Sequence, residues 1–286
     1  MRNLVLSILL VGCFFAETSA QKPVEKTLLW EITVNQISAP SYLYGTIHVL
    51  CPQDLVVSDR IKEKFGTAQQ LYLEIDFDDP AMMLTMQKNM LMKDGSQLKK
   101  LLTPSEYATV ADYFKAKMGM SLDMLGGVKP FMTMSMLIPS MMECQPASWE
   151  MSLVEMAKKQ NAEVLGLETV EEQLAIFDKI PYAEQAQMLL KFVGDSEKNK
   201  VEVAQLIQAY KAQDLATLEK LIKESPDMAN HADVLLKDRN EKWVPKIIKY
   251  STEKPTFFAV GAGHLGGETG VINLLRQAGY QVRAVF

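Results

Sequence analysis

Histidine is scarce in this chain, three residues in 286, and cysteine is equally so. That scarcity excludes the zinc-finger and zinc-ribbon classes, whose ligands recur at short Cys/His spacings. There is no surplus of positive charge either: 30 Lys and Arg stand against 35 Asp and Glu, a net charge of -5. The lysines are dispersed among acids, which leaves no basic stripe for a phosphate backbone, and nucleic acid is not expected as a partner. Long apolar runs are missing beyond the first twenty residues, so no transmembrane anchor is expected. The last eighteen residues, 269 to 286, contain no Asp or Glu at all.

The N-terminal stretch MRNLVLSILLVGCFFAETSA carries one arginine, an apolar run too short to span a bilayer, and small residues at Thr18, Ser19 and Ala20. This pattern predicts a signal peptide over 1–20, removed after Ala20, and a secreted or periplasmic protein of residues 21–286. A competing reading takes Leu10 to Cys13 as a lipobox, making Cys13 a lipid-anchored N-terminus; the apolar run continuing through Phe14 and Phe15 disfavours it. Cys51 and Cys144 then remain in an oxidising compartment, where an isolated pair is most simply a disulfide, the alternative being two buried free thiols.

What the chain does have is one local pattern, twice. PSYLYGTIHVLC (Pro40 to Cys51) and PTFFAVGAGHLGGETG (Pro255 to Gly270) each pass from a proline through a short apolar run into Gly-x-x-His. Gly45 and His48 match Gly261 and His264, so two of the three histidines sit in matched glycine turns. His231, in DMANHADVL, lacks that context and is read as structural.

Period-2 alternation at Trp30, Ile32 and Val34 predicts a half-buried strand, paired as a hairpin with Tyr42 to Gly45. Further strands are expected at Gln70 to Ile75, Glu163 to Leu167, the run after Pro255, and Tyr280 to Phe286. Leu55 to Phe65 reads as a helix, Thr103-Pro104-Ser105-Glu106 as a helix start, and residues 181–250 as nearly continuous helix broken near Gly194, Gln213 and Ser225. The fold class is therefore α/β, with a mixed central β-sheet flanked by helices and a large helical insertion at about 80–143. That insertion holds most of the eighteen methionines, either as adaptable core or as the pliable lining of a substrate groove.

A histidine at a strand end lies on the rim where open α/β sheets place their sites. Two of them, with the strand-end carboxylates Glu74 and Glu168, form a His/carboxylate set suited to a borderline divalent ion. Such an ion would polarise a carbonyl and acidify water, with a spare glutamate as base. One motif misleads: Gly261-x-Gly263-x-x-Gly266 satisfies a dinucleotide fingerprint, but the acid required about 20 residues on is absent.

The ordered motifs LLWEI, YLYGTIH, LYLEID, GLET-x-x-x-Q, RN-x-x-W and F-x-V-GAGHLGG-x-x-G-V-x-x-LL-x-x-x-GY-x-V resemble the TraB/GumN family. That family is similar to the TIKI metalloproteases and, more distantly, to erythromycin esterase-like and ChaN-like proteins. The resemblance implies one site built around paired Gly-x-x-His motifs and, in the TIKI branch, a metal-dependent peptidase, with manganese or cobalt suggested and zinc a third candidate. Carried over residue by residue, it falls on Gly45, His48, Glu74, Glu168, Arg239, Asn240, Gly261 and His264, with Gly263 inside the second turn.

The functional expectation is a secreted metal-dependent hydrolase of peptide or protein substrates. His48, Glu74 and His264 would hold the ion, Glu168 would be base or extra ligand, and Arg239 would stabilise an oxyanion or a substrate carboxylate. The alternative is a non-catalytic periplasmic protein using the same pocket to bind a peptide, a signal molecule or haem.

Overall fold

A computed structural model of the chain describes residues 25–33, 39–225 and 229–286. The leader, Cys13 and most of the turn after the first strand lie outside the described residues.

Six strands form one mixed sheet: β1 (Leu29–Thr33), β2 (Ser41–Thr46), β3 (Gln70–Leu73), β4 (Glu163–Gly166), β5 (Thr256–Gly261) and β6 (Gln281–Ala284), in the order β4-β3-β5-β2-β1-β6. β1 pairs antiparallel with β2, as the alternating pattern predicts, and with β6 on its other side. β4, β3, β5 and β2 run parallel. Phe257, Phe258 and Val260 of central β5 are fully buried, as a parallel strand covered on both faces requires.

The connecting helices follow local signals closely. Helix α1 (Asp59–Gly66) starts four residues later than its apolar pattern suggests, because Ser58 is its cap: the Ser58 hydroxyl accepts from the Ile61 N–H. Between β3 and β4, α2 (Met82–Asn89) and α3 (Pro104–Met118) precede α4 (Pro130–Ser135), and Thr103 and Glu106 close a capping box on α3. Next come α5 (Trp149–Lys159), α6 (Val170–Ile176), α7 (Tyr182–Gly194), α8 (Ser196–Lys211) and α9 (Leu215–Glu224), broken where the sequence suggests. A five-residue π turn, Asp233–Lys237, leads into α10 (Asp238–Glu253), and α11 (Val271–Gln277) follows β5.

The methionines divide between two environments. Met82, Met86 and Met132 pack on Ile75, Val170 and Leu174, and Met134 and Met136 pack on the cluster around Phe114 and Leu189. Met83 and Met124 stand mostly in solvent. The sheet is covered by one large core in which Trp149, Trp243, Phe65 and Phe257 are the bulkiest members.

Candidate active site

Because β2, β3, β4 and β5 are parallel, their carboxyl ends share one rim, and each delivers one candidate residue just past its last ladder position. β3 delivers Glu74, β4 delivers Glu168, β5 delivers His264 and β2 delivers His48. Thr46 is registered against Gly261, which lays the two glycine turns side by side. A Cβ on Gly45 would approach Leu265 Cδ1 to 2.8 Å and Ala262 Cβ to 3.1 Å. Gly45 therefore brings one turn against the other, where a bulkier residue would hold them apart. Gly261 contributes through its backbone instead, donating its N–H to Glu74 Oε1 at 2.8 Å. Gly263 leaves room for Ile222.

Helix α10 carries the RN-x-x-W motif over this rim, and its three side chains do different things. Arg239 Nη2 donates at 2.6 Å to both Glu74 Oε2 and Glu168 Oε1, and its Nε donates to Glu168 at 3.1 Å and 3.4 Å. Its Nη1 donates to His264 Nε2 at 3.0 Å and to the Leu235 carbonyl, in the preceding π turn, at 3.3 Å. Wide turns of this kind recur at functional sites because they re-aim groups of the helix. Asn240 Oδ1 accepts from His264 Nδ1 at 2.7 Å, while its Nδ2 donates to the carbonyls of Thr269 and His264. Trp243 stacks under the Arg239 guanidinium at 4.5 Å and donates its indole N–H to Glu168 Oε2 at 3.3 Å.

Electrostatically this half of the site is buried and self-paired. A guanidinium has five N–H donors, and every donor nitrogen of Arg239 already has acceptors within the protein. Burial alone would raise Glu74, but the charges of Arg239 and His48 and the Gly261 N–H bring it down to about 2. Glu168 lies above the usual carboxylate range because burial outweighs the pull of Arg239 and the charge of Glu74 adds to it. Burial lowers His264 to about 3, aided by Arg239 and His48, so its imidazole is neutral. With Arg239 only able to donate, Nε2 must be the acceptor and Nδ1 carries the proton to Asn240.

His48 stands apart from that cluster. Its side chain is 65% exposed, and its Nδ1 lies 3.0 Å from Oε1 of Glu150, whose own side chain is 6% exposed. Glu150 is fixed in turn by the hydroxyls of Thr46 and Ser148 at 3.0 Å and 2.7 Å. The hydrogen bond to Glu150 raises His48 to about 9, with Glu74 adding to it and burial opposing it only weakly because the side chain is mostly in solvent, so at neutral pH it is an imidazolium. Cys51 and Cys144 form the expected disulfide, and Leu50 and Ala147 exchange backbone hydrogen bonds beside it, joining the His48 loop to the start of α5.

Sequence reasoning missed Glu150 and Gln173. Glu150 passes for an ordinary acid in the first turn of a helix capped by Ser148. Gln173, whose amide donates to both Glu74 and Glu168 at 3.1 Å, had a signal in the GLET-x-x-x-Q motif. His231 is paired with Glu184 at 3.0 Å, not with any of the four rim residues. A cleft of about 190 Å³, lined by Glu168, Arg239 and Trp243 among others, opens onto the cluster from outside.

The donor types suit a borderline divalent ion, but their arrangement does not fit one. Among the described residues no group of three or more His, Cys, Asp or Glu side chains is placed to hold a metal. His264 Nε2 and Glu74 Oε1 are 3.9 Å apart, and the lone pairs that would ligate are taken by Arg239.

A family model described as the TraB/PrgY/gumN family matches residues 28–284, nearly the whole described chain. The chain belongs to this family. Among curated relatives, metalloprotease TIKI2 of Danio rerio is 25% identical over 91% of this chain, and metalloprotease TIKI1 of Homo sapiens is 24% identical over 95%. The matches span 62% and 64% of those longer relatives, respectively. No solved structure matches. No helix among the described residues is long and apolar enough to cross a membrane.

Proposed function

We propose that this TraB/PrgY/gumN family member is an exported hydrolase that cleaves peptide bonds in peptide or protein substrates at the rim of the parallel strands. The observation that carries this reading is the placing of His48, Glu74, Glu168 and His264 at the ends of four neighbouring parallel strands, where α/β enzymes place their chemistry. The name metalloprotease borne by the TIKI relatives supports the reaction class.

The residues divide into a proton-handling half and a charge-setting half. His48, exposed and oriented by Glu150, is the group able to give or take a proton at a bound substrate. Glu74, Glu168 and Arg239 set the field beneath it, and Asn240 fixes the neutral form of His264. No step is assigned to an ion, since the ligand positions are filled by Arg239; manganese, cobalt and zinc are the ions to add back.

The test is cleavage of a quenched fluorogenic peptide library by the purified chain after chelator treatment, with and without each ion. Cleavage that disappears in His48→Ala and in His264→Ala is the expected result. Full activity in the double variant overturns the assignment. A second reading, a non-catalytic binder, is favoured by how completely the buried half is internally paired; tight ligand binding without turnover would establish it.

A further inference from the structure

We infer that Arg239 is a resident cation standing where a divalent ion would be held, so that the Arg239 contacts and ion binding at Glu74, Glu168 and His264 exclude each other. The inference rests on contact geometry and charge and holds whichever activity the chain has.

Three acceptors converge on one guanidinium. His264 Nε2 is 3.0 Å from Nη1, and Glu74 Oε2 and Glu168 Oε1 are each 2.6 Å from Nη2. These are the atoms an ion would use: an imidazole nitrogen whose other nitrogen is anchored by Asn240, and two carboxylate oxygens whose companion oxygens, Glu74 Oε1 and Glu168 Oε2, are anchored by Gly261 and Trp243. An anchored second nitrogen and hydrogen-bonded carboxylates are the outer support that ligand sets commonly have. A zinc-like ion sits about 2 Å from an imidazole nitrogen along its lone pair. That point lies within the 3.0 Å separating Nε2 from Nη1, so the guanidinium must leave before an ion enters.

Charge gives the same answer. Two buried carboxylates confronting each other are costly unless a cation lies between them. Arg239 supplies that cation, and its planar fork bonds to both carboxylates simultaneously, which a lysine ammonium would do less completely. Gln173 donates to the same two carboxylates but brings no charge. With Arg239 removed, the pocket holds two carboxylates and a neutral imidazole around a vacated space, a donor set of the kind divalent ions take.

The decisive measurement is ion affinity rather than turnover, so its failure is distinguishable from failure of the peptidase reading. The full chain, chelator-stripped, is titrated calorimetrically with Co²⁺ and with Mn²⁺, and the visible absorption of bound Co²⁺ reports ligand type. Arg239→Gln is expected to bind Co²⁺ at least about tenfold more tightly than the wild-type chain, the scale on which outer-shell changes alter affinity. Adding His264→Ala should abolish that gain. Equal or weaker binding by Arg239→Gln, or a gain that survives His264→Ala, overturns the inference. Should Arg239→Gln fail to fold by circular dichroism, Arg239→Met decides, since it keeps the length of the side chain and removes the charge: it is expected to gain affinity in the same direction, and no gain overturns the inference equally.

Discussion

Asn240 and His264 form a locked pair: the amide oxygen accepts the Nδ1 proton at 2.7 Å while the same amide's nitrogen donates to the Thr269 carbonyl at 2.8 Å. The second bond fixes which way the amide points, and so fixes the imidazole tautomer. Both residues are buried, at 1% and 4% exposure, so neither partner can turn to water. Asn240→Leu should therefore lower unfolding free energy by about 1–3 kcal/mol, the cost of an unsatisfied buried donor. Denaturant unfolding checks the stability, and ¹⁵N imidazole shifts check the tautomer. An unchanged Nδ1–H form in the variant would show that Arg239 alone sets it.

The second histidine is governed by charge instead of tautomer. Glu150 raises His48 to about 9, and Glu150→Gln keeps the shape while removing the carboxylate's charge. The titration midpoint of His48, followed by NMR, should drop toward the ordinary value of about 6.5. The same substitution should move the alkaline limb of any activity profile that depends on imidazolium His48. A midpoint that stays near the wild-type value would mean that Glu74, the next contributor, holds the proton.

What could be read from the sequence was whatever its own neighbours determine. Gly45, Gly261 and the apolar runs before them define strand ends, so Glu74, Glu168, His48 and His264 could be placed on a rim before any contact was known. Thr103 and Thr169 open their helices with local capping boxes, which depend on residues three positions away. The role of Arg239 could not be read this way, because its partners are 71 and 165 residues distant and a half-polar helix face looks the same with or without them. Glu150 was hidden for a related reason. An acid after Ser148 suits the helix dipole wherever it stands, and only the fold reveals that it is buried under His48. The set of candidate groups was thus legible, while the split into a closed cluster and an open dyad was not.

Acid should destabilise the protein earlier than ordinary carboxylate titration would. His264 has a folded value of about 3 against an ordinary 6.5, so below pH 6.5 the unfolded chain takes up a proton that the folded one refuses. Its contribution is present above pH 6.5 and is lost as the pH falls toward 3. Glu74, at about 2 against an ordinary 4.5, adds a second loss in the same direction below pH 4.5. His48 has the opposite sign: raised to about 9, it contributes below pH 6.5 and loses that contribution as the pH rises through 9. Stability should therefore peak near pH 6.5. Between pH 6 and 4, His264→Gln should flatten the slope by up to about 1.4 kcal/mol per pH unit, one proton's worth. Parallel slopes in variant and wild type would exclude His264 as their source.

The Cys51–Cys144 bridge should act on the dyad as well as on global stability. It links positions 93 residues apart, and constraining an unfolded loop of that size contributes about 2–5 kcal/mol in typical small domains. Beside it, Leu50 and Ala147 exchange backbone hydrogen bonds of 3.3 Å and 2.8 Å. His48 lies two residues before Leu50 and Glu150 three residues after Ala147, so the 3.0 Å contact between them spans a short framework closed by this bridge. Reduction, or Cys51→Ser with Cys144→Ser, should lower the denaturant midpoint and also carry the His48 titration midpoint toward 6.5 as the Glu150 contact loosens. Both readings can be taken on one sample, by unfolding and by NMR. A large stability loss with an unmoved His48 midpoint would show that the Leu50–Ala147 pairing and the bonds from Thr46 and Ser148 to Glu150 suffice to hold the dyad.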